Sequence, residues 1–257
     1  MLAVVRGWSR RYRLGILLGA TATGFVAAGL WPPHPQDPAY HNFADRRAVL
    51  HIPYALNVLS NVGFLLAGAG AFMQTLRSAL AGWERVASFV FAAGLVGTGL
   101  GSAWYHWAPS NTTLVWDRLP LSALFPTVFA VAIGDRVSSV AGRVLLAPLV
   151  LGAVASVLYW QRHDDLRLYG LAQFLPMLLI PLMLVLFEGR RPTAPLIAGV
   201  MIYALGKGAE LSDGSIFALG SVVSGHTVKH LLAAVAAVLI VRWLVFESLD
   251  EARRARA

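Results

Sequence analysis

Three histidines of this 257-residue chain lie inside apolar stretches: His106 in GSAWYHWAPS, and His226 and His230 in SGHTVKH. Ser102 precedes His106 by one helical turn, and Asp117 stands at the start of the next apolar run. On a helix, the i, i+4 spacing of His226 and His230 puts both imidazoles on one face. A third imidazole from another helix completes three nitrogen ligands around a metal ion, with one position open for water, as in catalytic zinc sites. Polar groups are costly in hydrocarbon, and five at one depth point to an intramembrane metal site with a serine and a carboxylate beside it. Asp117 has a rival partner in Arg118, but adjacent residues on a helix do not face each other. Ser102 by itself reads equally well as a packing serine.

The elements that must position these groups follow from composition. Hydrophobic residues make up 57% of the chain and charged residues 13%, against about 45–50% and about 25% in soluble domains. The apolar residues form blocks long enough to cross a bilayer, at about 14–31, 55–76, 86–108, 113–133, 143–160, 168–187, 194–210 and 221–246. The expected fold is an all-α polytopic membrane bundle with no separate soluble domain. No cysteine is present, so thiolate metal sites and disulfides are excluded.

A net charge of +8 does not indicate nucleic acid, because the basic residues flank the apolar blocks on alternate sides. One side gathers Arg6, Arg10, Arg11 and Arg13, the connections with Arg77, Arg85, Arg136, Arg143, Arg190 and Arg191, and the C-terminal Arg242, Arg253, Arg254 and Arg256. The other has Arg46, Arg47, Arg162, Arg167 and Lys207. The positive-inside rule then places both termini in the cytoplasm. In that topology His106, Ser102, Asp117, His226 and His230 all fall in the outer third of the bilayer, with the last two in the second and third turns of span eight. Span one reads as a retained anchor in preference to a cleaved signal peptide. Residues 247–257 read as a short solvated helix end.

Lys207, Glu210 and Asp213 recur at three-residue intervals near the outer end of span seven. They read as an interfacial salt-bridge ladder, or alternatively as a polar rim meeting a lipid head group. Trp104, Trp107 and Trp116 suit an interfacial aromatic belt. Gly97, Gly99 and Gly101 suit close helix approach and not a nucleotide loop, since no strand precedes them.

At these residues the chain resembles the alkaline ceramidase family, within the seven-span hydrolase superfamily that includes the progestin and adiponectin receptors. The motifs are NVLSN at 57–61, GSAWYH at 101–106, WDRLP at 116–120 and SGHTVKH at 224–230. The resemblance implies a seven-helix core over residues 37–246, preceded by an extra transmembrane helix in residues 1–36 and followed by a tail at 247–257. It implies Zn2+ held by His106, His226 and His230, and hydrolysis of the amide bond of a ceramide-like membrane lipid. Asp117 would exchange a proton with the attacking water and the leaving amine, and Ser102 would hydrogen-bond the oxyanion. The family's calcium loop has its counterpart in DPAYHNFADRR, where Asp37, Asn42 and Asp45 are the candidate Ca2+ ligands. Tyr54 stands near the place of the family's glutamate, which puts that second cation in doubt. The rival on the same scaffold is a lipid receptor or sensor without turnover. A haem carrier is disfavoured because the four-residue His pair puts both ligands on one side, and nothing suggests the paired broken helices of a transporter. The short loops and charge bias suggest a bacterial inner membrane, and oligomeric state is open.

Overall fold

A computed structural model describes residues 7–246 of the chain. The expected C-terminal helix end at 247–257 lies outside the described residues. Among the described residues there are eight helices long and apolar enough to span a membrane, and no β-strand beyond one isolated bridge between Val49 and Ile52. They are α1 (Arg10–Leu30), α2 (Ala55–Arg77), α3 (Gly82–Trp107), α4 (Asn111–Arg136), α5 (Ser139–His163), α6 (Arg167–Leu186), α7 (Thr193–Leu211) and α8 (Gly225–Leu244). At 1.5 Å per residue each reaches about 30 Å, the thickness of the hydrocarbon layer. The architecture fits a multi-pass membrane protein.

Serine caps start several of these helices. Ser9, Ser138 and Ser224 each accept from a first-turn amide, and Ser110 forms a reciprocal capping box with Thr113. The Ser224 cap starts α8 at Gly225, later than the apolar run suggests. His226 therefore sits in the first turn and His230 in the second, a correction to the expected second and third turns. α2 is interrupted between Leu59 and Val62. There the Ser60 hydroxyl and the Asn61 side-chain amide both donate back to the Asn57 carbonyl.

Successive helices pack from α2 through α6, and α8 closes back on both α7 and α2. α1 lies outside and packs on α6. α6 and α7, although consecutive, barely touch, which leaves a seam in the wall of the bundle. The end of the bundle holding His106 and His230 is called the site end below.

At the opposite end one carboxylate fastens the chain. Asp135, fully buried, accepts from the backbone amides of Arg190 and Arg191 and ion-pairs with Arg136 at 3.1 Å. Arg136 also donates to the carbonyls of Phe187 and Arg191 and to the Thr193 hydroxyl. α1 starts at this end too, since Arg10 donates to the Val137 carbonyl and Arg13 to the Leu186 carbonyl. Removing one partner of a buried ion pair strands the other charge. Asp135→Ala is expected to lower stability by about 3–5 kcal/mol, read as a lower midpoint of thermal unfolding in detergent.

Candidate metal centre

The site begins with a close approach of α3 and α4. Pro120 has no N–H to give the Trp116 carbonyl one turn earlier, and Gly101 lies against that same carbonyl. A Cβ at position 101 would stand 2.0 Å from the Trp116 oxygen, so only glycine permits the contact. The next residue on each helix is then Ser102 and Asp117, and both line one cavity. A similar approach brings in α8: a Cβ on Gly225 would meet the Ala209 carbonyl of α7 at 2.1 Å.

His106, His226 and His230 are buried together, with possible ligand atoms all within 4.8 Å of one another. Their ring centroids form a near-equilateral triangle with sides of 4.8, 4.8 and 4.9 Å. The Nε2 atoms of His106 and His226 are 3.2 Å apart. Two ligands on a tetrahedral ion at 2.0–2.1 Å would be separated by about 3.3–3.4 Å, so this spacing fits a shared metal ion. His106 Nδ1 is buried and has no hydrogen-bond partner among the described residues. The three histidines could hold a metal ion.

The surroundings orient the rings. The Ser60 hydroxyl gives its proton to the Asn57 carbonyl and lies 2.8 Å from His230 Nδ1. It therefore accepts from Nδ1–H, which leaves the His230 Nε2 lone pair for a ligand. The Asn57 side-chain carbonyl accepts from the hydroxyls of Thr227 at 2.7 Å and Ser224 at 3.4 Å, joining α2 to the first turn of α8. Asp213 accepts from the backbone amides of His226 at 2.7 Å and Ala44 at 2.8 Å. Lys229 donates to Glu210 at 2.8 Å and sits 3.4 Å from His226 Nε2, so an ammonium and its counterion flank the cluster.

The segment between α1 and α2 covers this end. Phe43 places its ring 4.6 Å from both His106 and His226. His41 bridges Tyr105 and Asn111, each at 2.9 Å. Two cavities meet beneath it. A vestibule of about 590 Å³ is lined by α1, α4, α6, α7 and α8 residues, including Arg118, Tyr169, Lys207 and Glu210. A narrower apolar cavity of about 120 Å³ runs inward between Phe64, Leu95, Val128, Ile180 and Ile240 and carries Ser102 and His230 on its wall. Asp117, Leu121, Tyr203 and Lys229 line both.

The chain matches no protein-family model, no curated protein and no solved structure.

The structure brings together all five residues of the expected core: Ser102, His106, Asp117, His226 and His230. Asp37, Asn42 and Asp45 each have a partner within the chain. Asp37 caps the short helix Pro38–His41 through the Ala39 amide. Asn42 accepts from Arg46 at 3.4 Å, and Asp45 is buried in an ion pair with Arg47 at 2.8 Å. The Arg47 guanidinium holds the Asp45 carboxyl below the usual range. Arginine already occupies two of the three candidate ligands for a second cation.

The Lys207–Glu210–Asp213 ladder is also rearranged. Glu210 pairs with Lys207 and reaches across to Lys229, while Asp213 turns away to the His226 and Ala44 amides. The reason is that α7 ends at Leu211 and a separate short helix starts at Asp213. Ser60, Asn57, Lys229, Asp213 and Phe43 carry roles that pattern reading did not assign. Lys229 had a visible signal, as a cation between two histidines in an apolar helix.

Two expectations follow. Ser60→Ala removes the acceptor that fixes the His230 tautomer, and is expected to weaken binding of divalent metal about 10- to 100-fold, read by chelator competition. Asp165, between α5 and α6, accepts from Arg167 and from the His34 amide, which ties the approach to the vestibule. The Arg167 guanidinium brings its pKa down to about 2. A carboxylate with a depressed folded pKa stabilises the fold above its unfolded value and loses that contribution as pH falls through the folded one. Asp165→Asn should be less stable than wild type near neutral pH. The gap should close between about pH 4 and pH 2 in detergent melts.

Proposed function

We propose that the chain is a zinc-dependent intramembrane hydrolase that cleaves the amide bond of a ceramide-like lipid. The observation that carries this reading is the junction of three buried imidazoles with Ser102 and Asp117 at the mouth of an apolar cavity. A site built only to bind metal needs the ligands and has no use for a serine and a carboxylate on the same cavity wall. The four motifs that resemble the alkaline ceramidases supply these residues, and NVLSN supplies Ser60 and Asn57 around His230. That resemblance, together with cytoplasmic termini and an outward-facing site, forms part of the proposal.

His106, His226 and His230 would hold the zinc, which when bound activates water and polarises a carbonyl. The chain's own groups supply the rest. Asp117, on the wall of both cavities, would accept the proton of the attacking water and return it to the leaving nitrogen. Ser102 would donate its hydrogen bond to the carbonyl oxygen as charge develops there. The apolar cavity would take the acyl chain, with Phe91, Leu95 and Val128 along it. Phe43 would keep bulk water from the histidines. The seam between α6 and α7 would let a lipid enter sideways.

The test is elemental analysis of detergent-purified protein beside an assay with fluorescent ceramide. Wild type is expected to carry roughly one zinc per chain and to turn over, and His230→Ala to lose both. Asp117→Asn is expected to keep the metal while the hydrolysis rate falls about 10²- to 10⁴-fold. Zinc with no turnover of any lipid amide would favour a receptor on this scaffold, and absence of bound metal would overturn the mechanism.

A further inference from the structure

Arg118 is a charged group on the vestibule wall whose chemistry the hydrolase reading leaves unused. It belongs to a membrane-spanning helix and is 5% exposed. Its Nη2 donates to the side-chain carbonyl of Gln36 at 2.6 Å, a neutral acceptor. Its Nη1 is buried with no hydrogen-bond partner among the described residues. The guanidinium carbon lies 4.1 Å from the centre of the Trp160 ring, 4.8 Å from Tyr169 and 5.7 Å from Tyr40. Aromatic faces attract the cation but do not neutralise it. No carboxylate forms an ion pair with it among the described residues.

The carboxylates nearby do not pair with it. Glu210 is shared between Lys207 and Lys229, Asp165 pairs with Arg167, and Asp117, adjacent in sequence to Arg118, makes no ion pair with it among the described residues. The vestibule thus holds more positive than negative charge, before any metal cation is added beside it. An uncompensated charge buried at this depth is costly. Arginine's planar fork suits a carboxylate, sulfonate or phosphate. A cavity of about 590 Å³ falls in the range that small ligands fill.

We infer that the vestibule is an anion subsite, in which Arg118, assisted by Lys207, holds the acidic head group of an amphiphile whose acyl chain lies in the adjoining apolar cavity. The ligand class is an N-acyl amphiphile with a carboxylate, sulfonate or phosphate on its amine portion, held in preference to a neutral ceramide-like lipid. That the amide itself is cleaved rests on the hydrolase reading; that the anion is bound does not.

The experiment uses full-length protein in detergent, treated with chelator so that binding is read without turnover. Four probes share one acyl chain: N-dodecanoylglycine, N-dodecanoyltaurine, N-dodecanoylphosphoethanolamine and the neutral N-dodecanoylethanolamine. At least one acidic probe is expected to bind roughly tenfold more tightly than the neutral one, the scale of a charged hydrogen bond. The tightest of the three identifies the acidic group. Arg118→Gln is expected to shrink the preference below about threefold without weakening the neutral probe, and Arg118→Lys to retain part of it. If Arg118→Gln does not fold, Lys207→Gln at the rim of the vestibule should reduce the preference about two- to fivefold.

Equal binding of all four probes by wild type overturns the inference, as does a preference that survives in Arg118→Gln. Inorganic phosphate binding as tightly as the acidic amphiphiles would assign the site to a free ion and also overturn it. Acidic preference with no hydrolysis of any probe after zinc is restored would keep the subsite and sink the hydrolase reading. Hydrolysis without preference would do the reverse.

Discussion

In hydrocarbon, a polar side chain must find its partner within the protein or carry the full cost of desolvation. The site end of this bundle is organised by that constraint at the junction of α2 and α8. Where α2 breaks, Asn57 offers its side-chain carbonyl to Thr227 and Ser224 and its backbone carbonyl to Ser60 and Asn61. Ser60 in turn accepts the hydrogen bond from His230 Nδ1–H. Each link satisfies a group that hydrocarbon would leave bare. Together they set where α8 starts, how the His230 ring is turned and which nitrogen is free.

The second determinant is steric. A proline that cannot donate and a glycine without a side chain let α3 and α4 meet at Trp116. That contact brings Ser102 opposite Asp117, while the Asp213 carboxylate anchors the His226 amide on α8. Backbone geometry thus positions side chains from three helices. The covering segment, through Phe43 and His41, then separates the imidazoles from the aqueous side.

Residue type and spacing made the core of this arrangement legible. Apolar block lengths marked the eight helices with ends off by a few residues, and alternating charge predicted which helix ends would gather. The i, i+4 pair at 226 and 230 needs only helical periodicity to share a face. What escaped that reading depends on partners far apart in sequence. Asp213 looked like one rung of a ladder with Glu210, because a helical pattern cannot show that the chain turns at Ser212. Asp45 looked like a cation ligand, because nothing local says whether Arg47 folds back on it. Arg118 was visible only as a charge within a span; that it forms no ion pair among the described residues is a property of the whole packing.

The seam between α6 and α7 has a mechanical side. These helices are joined by the short connection 187–192, and that connection is tied down by Asp135 and Arg136. The vestibule residues Tyr169, Gln173, Tyr203 and Lys207 lie toward the ends away from that connection. Across the gap, Gln173 donates to the Tyr203 hydroxyl at 2.9 Å. The pair is built like tweezers, pinned at one end and clasped near the other. With arms of about 30 Å, a tilt of about 5° at the pin displaces a tip by about 2.6 Å. Any tilt at the buried ion pairs would thus be amplified at the opening, and α8, packed on α7 at Ala209 and Glu210, steadies that arm beside the histidines.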